Sequence, residues 1–182
     1  MGQHFHPVFL DDDFAIIGRI QPQMWAYKLA EVVWIGDSFV LDVERALTSP
    51  TRLVWAGQYA DPEPDTDPVT EVDDQGTVRE YPPTLHALSE AYPDIVVDRA
   101  IPIRRFLLNH DQRAFIDKHR SPPNPDEASE TLHLLPALTA EGNGRGSGDL
   151  PAHPLIGTWA RARISVTDTV PDGFTETTFV SW

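Results

Sequence analysis

The sequence predicts an α+β fold: a single domain over residues 1–182, with a largely antiparallel sheet of about six short strands and two or three helices. Three observations support this prediction. Short apolar or alternating runs bounded by turn residues recur along the chain, helical periodicity is confined to a few segments, and strands and helices do not alternate regularly. A chain of 182 residues is long enough for one well-buried core.

The N-terminal part predicts one strand and one ambiguous segment. Residues 3–10 predict a strand with Pro7 near a sheet edge, followed by a turn at Asp11–Asp13. Residues 24–35 fit either one helix or a helix that leads into a strand.

The strongest helix prediction follows Gly36. Asp37 or Ser38 is expected to cap the helix, and Ser49-Pro50 to end it. Apolar residues recur at helical spacing: Phe39, Val40, Val43, Ala46 and Leu47. Three charged residues are expected to face outward: Asp42, Glu44 and Arg45.

The remaining elements are shorter. A further helix is predicted over residues 83–92. The predicted strands comprise residues 52–56, 101–109, 114–117, 131–135, 158–167 and 174–180, with Asn109–Asp111 as a hairpin turn. Two loops are predicted, an acidic one over residues 61–80 and a second over 119–130. The acidic loop is expected to be a tolerated insertion without an apolar anchor for a partner.

Composition limits the function classes. The net charge of −14 argues against direct binding to a nucleic-acid backbone. It fits either solubility in an acidic proteome or an acidic decoy for a nucleic-acid-binding protein. No cysteine is present, no apolar run is long enough to span a membrane, and no signal peptide is recognised. We therefore expect a cytoplasmic protein without membrane contact.

A glycine-rich stretch is the main candidate site. Glycine occupies every second position from 142 to 148, and polar residues surround these glycines: Glu141, Asn143, Arg145 and Asp149. Free backbone N–H groups and one guanidinium suit a phosphate or carboxylate. We predict that the following residues of this stretch bind the ligand: Glu141, Asn143, Gly144, Arg145, Gly146 and Asp149. The alternative is a tight turn or bulge with Arg145 on the surface.

A second candidate segment follows the strand at 52–56. Trp55, Tyr59 and Asp61 are expected to line the pocket, where a base or sugar could stack. Core packing of Trp55 is the alternative. Lys28 and Glu31 share a helical face if residues 24–35 form a helix, and we add both to the ligand-binding candidates, although a surface ion pair explains them equally well.

Catalytic candidates are Asp61, His110, Glu141 and Asp149, although no complete catalytic motif is present. Asn109 and Asp111 could orient His110 for acid–base chemistry, and turn chemistry accounts for them equally well. His4 and His6 would share one face of a strand, as two ligands of a metal site do. We nevertheless predict neither a metal nor a cofactor.

Several segments together resemble a known family. They are Gly2-Gln3 with Phe5, Lys28–Glu31 leading to Trp34–Gly36, Val54–Asp61, Asn109-His110, Leu138–Asp149 and Gly157–Ala160. In these segments the chain resembles a family of uncharacterised proteins encoded by bacteriophages, plasmids and Gram-positive bacteria. The resemblance implies a mobile-element or bacterial cytoplasmic origin. It does not suggest any particular activity. His4 and His6 stand where members of that family carry aromatic residues, which argues against a metal role.

Three functions remain open at this point. The preferred one is binding of a small anionic, nucleotide-like ligand in a polar pocket around residues 141–149. The second is a hydrolase or transferase that acts on a phosphate or glycosidic bond. The third is an acidic interaction protein, a nucleic-acid mimic that inhibits a host protein. The sequence does not assign an oligomeric state.

Overall fold

The computed structural model describes residues 3–22, 28–29, 34–72, 75–123, 130–142 and 153–179. The predicted α+β class with a mostly antiparallel sheet is confirmed, and the described chain has more strands than predicted. The strands are β1 Phe5–Leu10, β2 Ile16–Arg19, β3 Thr51–Gly57, β4 Val69–Val72, β5 Val78–Tyr81, β6 Phe106–Asn109, β7 Ala114–Asp117, β8 Ala140–Glu141, β9 Arg163–Thr167 and β10 Thr175–Glu176. The α-helices are α1 Ser38–Ala46, α2 Leu85–Ser89 and α3 Leu134–Leu138, and a 3₁₀ helix spans Lys118–Arg120.

The main sheet has eight strands in the order β10-β7-β6-β9-β3-β1-β2, with β8 added beside β3. Two strands share one side of β3, because its first residues pair with β9 and its last residues pair with β8. Among the described strands, only β8 and β10 run parallel to the strands they join. β4 and β5 form a separate two-stranded sheet.

The central strands are buried on both faces of the main sheet. All six residues of β1 are buried, and β3 is buried from Leu53 onward. Leu53 and Trp55 point into a core shared with α1 and α3 residues, whereas Val54 and Ala56 point into a smaller core with Leu85 of α2. The alternating side chains of one strand therefore hold together two layers on opposite sides of the sheet.

Helix α1 confirms the strongest sequence prediction. The Asp37 carboxylate accepts hydrogen bonds from the backbone N–H groups of Phe39 (2.9 Å) and Val40 (3.0 Å). The expectation that Glu44 faces outward is wrong, because only 1% of this residue is exposed. Glu44 follows Val40 by four residues, so it lies on the apolar stripe of the helix.

The predicted strand at 131–135 is also wrong. Thr131 and Leu132 make only isolated bridges, and His133 then caps α3, with its Nδ1 accepting from the Leu135 N–H at 3.3 Å. Pro136 fits because it lies in the first helical turn, where its missing N–H has no intrahelical partner to lose.

Three other predicted strands are shorter than expected. In 101–109 the strand is confined to β6, and in the described part of 174–180, residues 174–179, it is confined to β10. In 158–167 the strand begins at Arg163, because residues 157–162 form successive turns and Arg161 has a φ of 62°. The hairpin turn between β6 and β7 is confirmed.

The sequence predicts Pro7 near a sheet edge, and Pro7 lies one strand in from the edge strand β2. β1 lies between β2 and β3, and Pro7 sits where the β2 ladder ends. Its carbonyl accepts from the Ile20 N–H at 3.2 Å, so the missing proline donor faces the point where the pairing stops.

The two predicted loops differ in outcome. The acidic segment 61–80 is not a loop throughout, because it contains β4 and most of β5. In the second loop, residues up to Arg120 complete the 3₁₀ helix, and residues 124–129 lie outside the described chain. Among the described residues, no helix is both long and apolar enough to cross a membrane.

Candidate functional site

Three distant parts of the chain meet at the end of β3, around the side chain of Gln3. At the start of β1, Phe5 pairs with Gly57, and at the end of β8, Glu141 pairs with Ala56. Gln3 lies between these strand ends and is only 2% exposed. We name this group the Gln3 rim and define it as Gln3, Gly57–Asp61, Glu63, Glu141–Gly142 and Arg161.

The Gln3 amide occupies space that two glycines leave open. A Cβ on Gly57 would lie 2.3 Å from the Gln3 amide group, and a Cβ on Gly142 would lie 2.7 Å from it. With its oxygen turned toward the loop after β3, the amide accepts hydrogen bonds from the N–H groups of Tyr59 (3.0 Å) and Ala60 (3.3 Å). The close backbone approach that glycine permits is therefore made, at Gly142, by Gln3 of the same chain.

Arg161 links two carboxylates across the rim. Its Nε donates to Glu141 Oε2 at 2.8 Å and its Nη2 to Glu141 Oε1 at 2.5 Å. Its Nη1 donates to Glu63 Oε2 at 3.0 Å, and Nη2 also bonds Glu63 Oε1. The backbone N–H of Arg161 donates to the Leu53 carbonyl at 2.8 Å, which fixes the residue against β3. Both carboxylates are thus bound in the bidentate geometry that guanidinium favours.

These contacts set the charge of the rim. The hydrogen bonds that Arg161 donates to Glu141 and Glu63 raise the pKa of its guanidinium further, despite an opposing contribution from burial. One guanidinium faces two carboxylates, and exposed Asp61 lies two residues before Glu63. The described part of the rim therefore carries more negative than positive charge.

Trp55 does not line an open pocket, which corrects its assignment to the ligand-binding residues. Its exposed fraction is 0%, and its ring makes an edge contact with Phe39 at 5.7 Å between centroids. The indole Nε1 has no hydrogen-bond partner there. Trp55 belongs to the core because β3 alternates and this position faces α1.

The structure describes some of the other predicted ligand-binding residues and not the rest. Tyr59 is half-buried, Asp61 is exposed and Glu141 pairs with Arg161. Lys28 is half-buried. Six predicted site residues lie outside the described residues: Glu31, Asn143, Gly144, Arg145, Gly146 and Asp149.

His110 lies at the opposite end of β3 from the rim. Its backbone N–H donates to Arg163, which pairs with Arg52 near the start of the strand. Gly57 is five positions after Arg52, which corresponds to about 16 Å along a strand. The structure therefore does not bring His110 to the acidic candidates Asp61 and Glu141.

The surroundings of His110 are those of a turn. Its Nε2 contacts Ser165 Oγ at 2.8 Å, and burial lowers its pKa with a smaller contribution from Arg163. Asn109 accepts from the N–H groups of Asp111 and Gln112 at 3.0 Å each, which is the turn role left open by the sequence. Asp111 is engaged by Arg163 rather than by His110.

Sequence reasoning missed a buried charged cluster formed by Glu44, Lys118 and His133. His133 Nδ1 accepts from Leu135, so its Nε2–H donates to Glu44 Oε1 at 2.8 Å, and Lys118 Nζ bonds the same oxygen. Burial acts to raise the pKa of Glu44, but His133 and Lys118 outweigh it and lower that pKa. The other oxygen, Oε2, has no partner among the described atoms.

A second buried polar cluster surrounds His6. Its Nε2 lies 2.6 Å from Ser89 Oγ, and its ring centroid lies 4.0 Å from that of His86. Burial, aided by His86 and Arg19, lowers the pKa of His6 to about 3. Burial, aided by Arg19 and His4, lowers the pKa of His86 to about 4. Both imidazoles are therefore neutral at pH 7.

The histidines do not form a metal-binding arrangement. Within the described residues, no group of three or more histidine, cysteine, aspartate or glutamate side chains could hold a metal ion. His6 instead turns into the body of the protein, where α2 covers it.

No protein-family model, curated protein or solved structure matches this chain.

Proposed function

We propose that this chain is a cytoplasmic protein of a bacterial or mobile-element genome that binds a small anionic, nucleotide-like ligand at the Gln3 rim. The ligand's anionic group would be held by backbone N–H groups and Arg145 in residues 143–149. Its neutral polar part would contact Tyr59, Asp61 and Glu141. The proposal concerns binding, and a reaction at the same place is not required.

The observation that carries the proposal is the contact of Gln3 with Gly57 and Gly142. A Cβ on either glycine would approach the Gln3 amide to less than 3 Å. The loop that contains Tyr59 and the start of the glycine-rich stretch therefore both pack against the Gln3 side chain. This juxtaposition is a minimal requirement for a site formed by both segments.

The carboxylates of the rim favour a ligand that carries hydroxyl groups in addition to its anionic group. The guanidinium N–H groups of Arg161 already bind two carboxylates, so they do not offer a second bidentate contact to a phosphate. A carboxylate is a hydrogen-bond acceptor, and ribose or sugar hydroxyls are suitable donors to it. A nucleotide or sugar phosphate carries both an anionic group and hydroxyl donors, whereas free phosphate lacks the sugar hydroxyls.

Thermal-shift measurements on the intact chain test this proposal. Nucleotides, sugar phosphates and inorganic phosphate are each added at about 1 mM, since a ligand that binds only the folded state raises its melting temperature. We expect a rise with nucleotides or sugar phosphates and none with inorganic phosphate. Arg145→Ala should abolish the rise.

Arg104→Ala serves as the matched control, because Arg104 forms an exposed ion pair with Asp168 away from the rim. It should leave the ligand-induced shift unchanged. If none of the ligands shifts the melting temperature of the unmodified chain, the proposal is wrong. Recovery of the bound ligand after long incubation distinguishes binding from turnover, because a hydrolase or transferase would change it chemically.

A further inference from the structure

The segment between β3 and α2 forms an arm with a closed base. Pro62 and Thr84 form an isolated bridge, and the Glu63 N–H donates to the Pro83 carbonyl at 2.8 Å. The described residues of the segment, 64–72 and 75–82, therefore leave the body and return to it at one point. We name residues 64–82 the acidic arm. Thr84 caps α2, so the base is anchored in the body.

The described part of the acidic arm consists mainly of the β4–β5 hairpin. Val69 pairs with Tyr81 and Val72 with Val78 in an antiparallel ladder. All four residues of β5 are exposed, and β4 and β5 make their extensive contacts only with each other among the described elements. A lone two-stranded hairpin is marginally stable in water, so it gains from a further surface to pack against.

One face of the hairpin presents an apolar pair. Val72 and Val78 stand opposite each other and are each 61% exposed. Two-residue periodicity places Thr70 and Glu80 on the same face. The acidic segment therefore does contain an apolar anchor, contrary to the expectation from its composition.

The charge of the arm restricts what this face can contact. Residues 64–82 contain six acidic residues and a single basic one, Arg79. A nucleic-acid backbone and an anionic lipid surface would be repelled, and so would a second copy of a chain whose net charge is −14. A basic protein surface is the partner whose charge complements the arm.

We propose that the acidic arm is a docking element for a basic protein segment. The Val72–Val78 pair contacts apolar side chains of the partner, and the surrounding carboxylates pair with its lysines and arginines. The four-residue ladder is only about 13 Å long, so the interface lies at the small, transient end of the known range. Binding is therefore weak and falls steeply as salt screens the ion pairs.

Fluorescence anisotropy with two synthetic peptides tests the proposal. One labelled probe alternates lysine and valine, and the other alternates glutamate and valine. We expect the intact chain to bind the lysine probe at low salt, to bind it at least tenfold more weakly at about 0.5 M salt, and not to bind the glutamate probe. No binding of the lysine probe at low salt would overturn the proposal.

Three variants separate docking from general attraction to an acidic protein. V72S/V78S keeps every charge, and we expect it to bind the lysine probe at least fivefold more weakly. V96S is its matched control, since Val96 is 95% exposed outside the arm, and it should bind like the unmodified chain. Replacing residues 65–81 with a short Gly-Ser linker keeps Glu63 and Pro83 at the base and should remove the specific binding.

Two further results would contradict the proposal. One is equal binding of the lysine probe by V72S/V78S and the unmodified chain, which would mean that charge alone attracts it. The other is a concentration-dependent dimer in sedimentation experiments that disappears when the arm is replaced, because the occupant would then be a second copy. Melting temperatures of all variants verify that the body remains folded.

Discussion

The amide of Gln3 lies 2.7 Å from the position that a Cβ would take on Gly142. A residue near the N-terminus thus fills the space beside the first glycine of the glycine-rich stretch. The same amide fills the space beside Gly57, so one side chain fixes the relative positions of two loops. The first prediction concerns this contact.

Gly57→Ala is expected to destabilise the protein by about 1–3 kcal/mol, the usual cost of overpacking a filled site. Its new methyl group would meet the Gln3 amide and the Phe5 ring, both of which are buried. Urea unfolding measures the loss. Adding Gln3→Ala should recover part of it because the obstructing amide is gone. Purely additive effects of the two substitutions would contradict direct contact.

Lys118→Met is expected to cost about 3–5 kcal/mol of the free energy of unfolding, because it leaves the buried Glu44 carboxylate with His133 alone. Urea unfolding at pH 7 measures this. Arg104→Ala breaks an exposed ion pair and should leave the unfolding midpoint almost unchanged. Similar midpoints for the two variants would show that the buried cluster contributes little.

Acidification is expected to destabilise the protein before most carboxylates titrate. The pKa values of His6 and His86 are lowered in the folded state to about 3 and about 4, whereas the pKa of an unfolded histidine is near its ordinary value of 6.5. Between these values the unfolded chain binds more protons, so the free energy of unfolding falls as the pH falls below about 6.5. The slope approaches about 1.4 kcal/mol per pH unit for each histidine.

Urea unfolding between about pH 7.5 and pH 5 measures that slope, a window chosen to lie above the usual carboxylate pKa values. His86→Gln should reduce the slope because it removes one of the two histidines with the most strongly lowered pKa values. His119→Gln is the control, since His119 is exposed. An unchanged slope in His86→Gln would refute the assignment to this pair.

Arg161→Met is expected to destabilise the protein, because it leaves two neighbouring rim carboxylates without their cation. Glu63 and Glu141 both bond Nη2 of Arg161, so their nearer oxygens lie within about 5 Å of each other. Without the guanidinium, two carboxylates at this separation repel each other, and adding a proton to either one relieves the repulsion. Relative to the unmodified chain, the variant should therefore regain stability as the pH falls from about 7 to about 5.

Melting temperatures of both proteins across this pH range provide the comparison. A constant difference between them would mean that the two carboxylates move apart when Arg161 is lost. Arg163→Met is a suitable control, because Arg163 forms a more exposed pair with Asp111 away from the rim.

Local patterns in the sequence predicted a substantial part of the fold. The spacing of Phe39, Val40 and Val43 identified α1, and Asp37 identified its cap. The residue types of 109–111 identified the β6–β7 turn. These features depend on neighbours within a few positions, which is the range that periodicity and capping rules cover.

Sequence-based prediction failed where the same residue pattern is compatible with two different structures. The alternation in residues 158–167 is typical of a strand, yet its first half forms turns held by Trp159 and Arg161 against α3 and β3. Glu44 was expected in solvent because of its charge, although its helical position already indicated the buried face. Its burial is tolerated because His133 and Lys118, supplied by distant segments, satisfy one carboxylate oxygen.

By itself, then, the sequence determined the α+β class and the capped helix. Only the tertiary structure decided that Gln3 packs against Gly142, which carboxylates hold Arg161 and which end of β3 His110 occupies. Such pairings depend on the order of strands in the sheet, and strand order follows from long-range burial that no local spacing specifies.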